Sequence, residues 1–104
     1  MKHEWSKMSP RDRDKLIAEK VMELKDVRYE ETNYIDPVLV YGHEALGGSG
    51  SLVPNYSTSM WDVWKVVDKL ITEGFSLNLG SVYTETLPAA ICKAAMLAYG
   101  EELE

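Results

Sequence analysis

Between Ser57 and Gly74, Met60, Val63, Trp64, Val67, Leu70 and Ile71 recur at helical spacing, while Asp62, Lys65, Asp68, Lys69 and Glu73 take the other side. A helix with one apolar face must bury it against another element. The flanking stretches, from Val27 to Tyr41 and from Phe75 to Thr84, are rich in β-branched and aromatic residues and read as strands. With 104 residues the chain supports one domain, burying roughly two-thirds of the surface its unfolded form exposes. The pattern predicts an α+β fold in the order helix, two strands, helix, two strands, helix. Its small, mainly antiparallel sheet has about four strands and is flanked by helices.

Ser9-Pro10 starts the first helix, because serine accepts from free amides at the N-cap and proline loses nothing at the first helical position. Leu16, Ile17, Val21 and Leu24 carry that helix to about Lys25. Residues 1–9, Trp5 included, read as an arm that packs loosely or orders in an oligomer; residues 10–100 form the domain and 101–104 a tail. Tyr29, Tyr34, Ile35, Val38, Leu39, Val40 and Tyr41 supply two short strands, with Asp36-Pro37 as a bend or edge irregularity. Gly47-Gly48-Ser49-Gly50-Ser51 predicts a flexible loop. Ser57-Thr58-Ser59 opens the second helix and Gly74 closes it. Phe75, Leu77 and Leu79 then share one face of a hairpin that turns at Gly80-Ser81 and returns through Val82-Tyr83-Thr84. The last helix starts near Thr86-Leu87-Pro88 and ends at Gly100, its alanines permitting close approach to a neighbour.

Hydrophobic residues make up 45% and charged residues 27%, which excludes wholesale disorder. A single cysteine, Cys92, excludes an internal disulfide and a zinc ligand set, and on an alanine-rich helix it reads as a buried, inert thiol. His3 lies in the terminal arm and His43 borders the glycine loop, so neither reads as a scaffold-held catalytic base. The glycine loop lacks the Lys-Ser/Thr and helix start of a phosphate-binding loop. Glu30, Glu31, Asp36 and Glu44 do not have metal-ligand spacing. The expectation is therefore no catalysis, no metal and no cofactor. A net charge of −6, with acids and bases interleaved as in Arg11-Asp12-Arg13-Asp14-Lys15, argues against polymeric nucleic acid and reads as a solvated helix face. Met1 to Arg13 is polar where a secretory signal needs an apolar stretch, and no run reaches membrane-span length. A cytoplasmic protein with no membrane partner is expected.

The candidate site is the polar cluster Asn55, Tyr56, Ser57 and Thr58 at the second helix start, with Trp61 just inside and Lys65 one turn on. Free amides at a helix start favour anions, and hydroxyls there donate to phosphate oxygens. Tyr83, Thr84, Glu85 and Thr86 repeat the ingredients at the last helix. Were both starts to open toward one end of the sheet, they would form a polar pocket walled by Tyr56, Trp61 and Tyr83. Trp64 falls on the main stripe and is assigned to the core, whereas Trp61 lies off it.

Four fragments together resemble the small bacteriophage proteins of the phage ABA sandwich family, and more distantly the phage NinX proteins. They are Ala18-Glu19-Lys20-Val21-Met22, Tyr56-Ser57-Thr58, Trp64-Lys65-Val66-Val67-Asp68-Lys69-Leu70, and Leu87-Pro88-Ala89-Ala90-Ile91-Cys92-Lys93-Ala94-Ala95. The resemblance implies a three-layer α-β-α sandwich and a phage or prophage origin, hence the host bacterial cytoplasm; it implies no enzymatic activity. By analogy of role, the first expectation is a phage protein that sequesters a small nucleotide immune signal, cyclic or ADP-ribose-type. In that reading Tyr56 and Trp61 stack on a base, Ser57, Thr58 and Thr86 hold phosphate or ribose oxygens, Glu85 accepts from a base edge or ribose, and Lys65 adds charge. The second expectation is an interaction module that meets a host or phage protein through an aromatic surface made by an exposed Trp61 with Tyr29, Tyr34 and Tyr41 on a sheet face. Self-association is expected as well, because sites between subunits enclose ligands that a small domain cannot.

Overall fold

Ser9 is extended, with ψ 158°, and its hydroxyl accepts from the Asp12 amide at 3.2 Å, so α1 (Pro10–Leu16) begins where the cap residues dictate. The computed structural model describes residues 2–31, 37–42, 51–75 and 86–103. After α1 the backbone widens into a π turn, Ile17–Val21, whose Met22 amide reaches back to the Ile17 carbonyl at 2.9 Å. Glu23 adopts φ 57° and lets the Leu24 amide return to the Ala18 carbonyl at 2.9 Å. The helical run therefore stops short of Lys25. The widened turn keeps Ile17, Ala18 and Val21 all buried.

The sheet is built around one apolar strand. β2 (Arg28–Glu30) pairs antiparallel with β3 (Val38–Tyr41) with Tyr29 opposite Leu39, and β3 pairs antiparallel with β4 (Ser51–Leu52) with Val40 opposite Leu52. β3 is central, and its neighbours Leu39 and Val40 are both buried. Successive strand residues face opposite ways, so β3 is covered on both faces, as an apolar run without alternation requires. Ser51, expected in the glycine loop, instead pairs with Tyr41. The expected strand residues Tyr34 and Ile35, the Asp36 bend, the Gly47 to Gly50 loop, His43, Glu44 and the hairpin from Ser76 to Thr84 lie outside the described residues.

α2 (Met60–Thr72) is capped by Ser59, whose hydroxyl accepts from the Asp62 amide at 3.2 Å, and closed by Gly74 at φ 84°. α3 (Leu87–Ala98) follows Thr86 and ends at Gly100, φ 82°. α3 packs against both α2 and the π turn. Cys92 and Ala95 are fully enclosed there, so α3 meets its neighbours through small side chains. Leu39 and Val53 join Val63, Val66, Leu70, Ile91 and Met96 in the common core, completing the α+β fold with its small antiparallel sheet.

The termini depart from expectation. β1 (Lys2–His3) and β5 (Glu102–Leu103) form a parallel ladder, with His3 opposite Leu103, and His3 Nε2 lies 3.0 Å from Glu101 Oε1. Trp5 is only 1% exposed and belongs to the core. Its carbonyl accepts from Arg13 Nε at 3.0 Å and Nη2 at 2.6 Å, and the Arg13 guanidinium stands 5.0 Å from its ring centroid. Residues 2–9 and 101–103 are thus part of the domain rather than a loose arm and tail. Among the described residues no helix is long and apolar enough to cross a membrane.

Trp5→Ala is expected to lower unfolding stability by about 3–5 kcal/mol, the range for removing a buried aromatic. Urea denaturation followed by far-ultraviolet circular dichroism measures it; a loss under about 1 kcal/mol would return Trp5 to the status of a loose arm.

Candidate functional site

The segment leading into α2 is held by charges from α1. Asp14 has no exposed surface; its Oδ2 accepts from Arg11 Nη1 at 2.7 Å and its Oδ1 from the Ser57 amide at 2.7 Å. Arg11 also donates to the same segment: Nη1 reaches the Pro54 carbonyl at 3.2 Å and Asn55 Oδ1 at 2.8 Å, and Nη2 the Val53 carbonyl at 2.9 Å. The Ser57 hydroxyl donates to the Pro10 carbonyl at 3.0 Å. From the far side, Asp62 Oδ2 accepts from the Asn55 amide at 2.8 Å. The Arg11 to Lys15 charge run is therefore not simply a solvated face, because one of its acids is an internal tie.

Set against this geometry, the expected site divides. Tyr56 is 2% exposed and packs in the apolar core, so it cannot wall an open pocket. Burial pushes its hydroxyl up to about 12. Ser57 is buried with both its amide and hydroxyl engaged internally. Asn55 is exposed, but its side-chain oxygen is held by Arg11. Thr58, Trp61, Lys65 and Thr86 are exposed. Tyr83, Thr84 and Glu85 lie outside the described residues. Lys65 Nζ sits 3.9 Å from Asp62 Oδ1, a loose pair on an open surface.

What the structure does bring together is an apolar flank on α2. Val63, Val66, Val67 and Leu70 face the core. Trp61, as expected, lies off that stripe and is 84% exposed. Trp64, expected in the core, is 56% exposed, and Ile71, expected on the same buried face, is 67% exposed. The correction has a plain cause: apolar positions on α2 span a wider arc than the packing against α3 can cover, and the valine side is the one that fits against small residues. Met60, Trp64 and Ile71 lie along one line of the helix, with Trp61 beside it.

Next to this flank an open groove of about 430 Å³ is lined by Arg11, Tyr29, Leu39, Leu52, Asn55, Asp62 and Lys65. Its charges oppose one another and Arg11 is already committed. The Tyr29 hydroxyl donates to Asp12 Oδ1 at 2.6 Å and is pushed up to about 12 by burial and by that bond. The Cys92 thiol is fully enclosed and burial drives its pKa well above the ordinary thiol range, which leaves no thiolate at neutral pH. Among the described residues no three His, Cys, Asp or Glu side chains cluster as a metal site. Compared with protein-family models, curated proteins and solved structures, the chain matches none. The resemblance to small phage proteins therefore rests on the sequence fragments alone.

Asp14→Ala is expected to cost about 2–4 kcal/mol, because it removes the counter-charge of Arg11 and leaves the buried Ser57 amide without its acceptor. Equilibrium denaturation measures it, and a loss below about 1 kcal/mol would mean the tie is incidental. Alkali gives a second check. Unfolded tyrosine releases its proton near 10 and folded Tyr56 only near 12, so the stability from keeping it neutral is complete below pH 10 and declines as pH rises toward 12. Tyr56→Phe should flatten the fall in urea midpoint across that window; an unchanged slope would place the titration elsewhere.

Proposed function

We propose that the protein is a non-catalytic interaction module that binds a protein partner through the outward flank of α2. The carrying observation is the pair Trp61 and Trp64, 84% and 56% exposed on a capped helix whose other side is locked into the core. Tryptophan is the residue most enriched among interface hot spots, and large contiguous apolar patches on monomers mark interaction sites. Helix rigidity favours the same reading, since little order has to be gained on docking. The resemblance to small phage proteins points to a partner from the host or the phage.

A nucleotide-sequestering role fits the geometry less well. It asks for an enclosed polar hollow with aromatic walls, whereas Tyr56 is in the core, Ser57 is engaged in internal bonds, and Trp61 is 84% exposed. Thr58 and Thr86 remain exposed at their helix starts.

A photo-crosslinking amino acid at position 61 or 64, in protein expressed in bacteria, should give a discrete protein adduct that the same group at Lys20, exposed on the π turn, does not give. Trp61→Ala should leave the unfolding free energy within about 0.5 kcal/mol of the parent, as expected of an exposed side chain, and weaken partner binding by about 2 kcal/mol or more. Absence of any adduct, together with a rise in melting temperature on adding cyclic dinucleotides or ADP-ribose derivatives that Thr58→Ala abolishes, would replace this reading with the nucleotide one.

A further inference from the structure

Resting on the reading of the α2 flank as a binding face, we propose that its partner is basic: an amphipathic segment of another protein that lays an arginine or lysine over the exposed indoles and against the Asp68 carboxylate. Trp64 and Asp68 stand four residues apart on α2, and Asp68 and Ile71 three, so the three are successive neighbours along one line of the helix. Trp61, three residues before Trp64, lies beside that line. All four are exposed.

Of the acids between Met60 and Glu73, Asp68 is the one left uncompensated. Asp62 accepts from the Asn55 amide at 2.8 Å and has Lys65 at 3.9 Å, and Glu73 has Lys69 at 2.9 Å. Among the described residues Asp68 makes neither a hydrogen bond nor an ion pair. Its basic neighbours are directed elsewhere, Lys65 to Asp62 and Lys69 to Glu73 and to Glu23 at 3.5 Å. A bare carboxylate thus sits between a tryptophan and an isoleucine on the flank.

Two further features select the same chemistry. The face of an indole is electron-rich, and tryptophan is the best of the aromatic side chains at holding a cation. The chain makes such a contact internally, where the Arg13 guanidinium stands 5.0 Å from the Trp5 ring centroid. Its net charge of −6 draws a basic segment in and holds off an acidic one or a second copy of itself. An exposed ion pair alone contributes little, so the apolar neighbours matter: Trp64 and Ile71, once covered, keep water from the charge they flank.

Two synthetic amphipathic helices, identical except for arginine or glutamate on the polar face, test this by titrating the tryptophan fluorescence of the intact chain at about 50 mM salt. The arginine peptide should bind at least about tenfold more tightly than the glutamate one. Asp68→Asn should weaken the arginine peptide about fivefold and Asp68→Glu should keep it, whereas Glu31→Gln, which removes one charge just beyond β2, should leave it unchanged. Trp64→Ala should weaken it about thirtyfold with the unfolding free energy kept. Equal affinity for the two peptides, no binding of either, or an Asp68→Asn effect no larger than that of Glu31→Gln overturns the proposal. If position 61 nevertheless crosslinks a discrete protein, the binding face stands and only the basic character of its partner fails.

Discussion

The fold depends on a buried carboxylate. A charge with no access to water persists only where its lone pairs are met, and Asp14 is met by Arg11 from its own helix and by the Ser57 amide from the segment ahead of α2. Because Arg11 also holds Val53, Pro54 and Asn55, that segment has little freedom left. The tie therefore fixes where α2 begins and how it is rotated about its axis. Rotation decides which apolar residues of α2 meet the core and which meet the surroundings.

The second constraint is the slimness of α3. Cys92 and Ala95 allow α2 and the π turn to come close, and the space that results accepts valine-sized groups: Val21, Val63 and Val66. Turning α2 to place Trp64 there would overpack the gap, which typically costs about 1–3 kcal/mol, and would tear Ser57 from Asp14. Tight packing on one side thus accounts for tryptophans on the other. The aromatic flank is a consequence of the same geometry that stabilises the domain.

Much of this was legible where the signal is local. The caps Ser9 and Ser59, the closing glycines Gly74 and Gly100, the alanine face of α3 and the outward Trp61 all follow from residue type at a helix boundary or from helical spacing. The π turn was hidden because Glu23, which takes the left-handed conformation ending it, is neither glycine nor asparagine. The terminal ladder and the burial of Trp5 join residues about a hundred positions apart, and nothing near His3 or Leu103 announces the pairing. Asp14 hid within a run that reads as solvated charge. Tyr56 and Ser57 hid within a cluster whose composition is the same whether its polar atoms face a ligand or the protein, and only their partners tell the two apart. Trp64 was misplaced because periodicity gives the direction of an apolar arc and not how much of it the neighbours can cover.

Leaving two tryptophans in water forfeits the largest apolar contribution either side chain can make, so a partner that covers them recovers a stabilisation the monomer cannot reach by rearranging. Repacking is blocked on both sides, by the Asp14 tie at the start of α2 and by the alanines of α3. A chain with net charge −6 also repels its own copies at long range, so any self-contact needs local attraction that outweighs it. Helix rotation and tryptophan exposure are in this way two outcomes of a single arrangement, set by where Arg11 and Asp14 grip the segment ahead of α2.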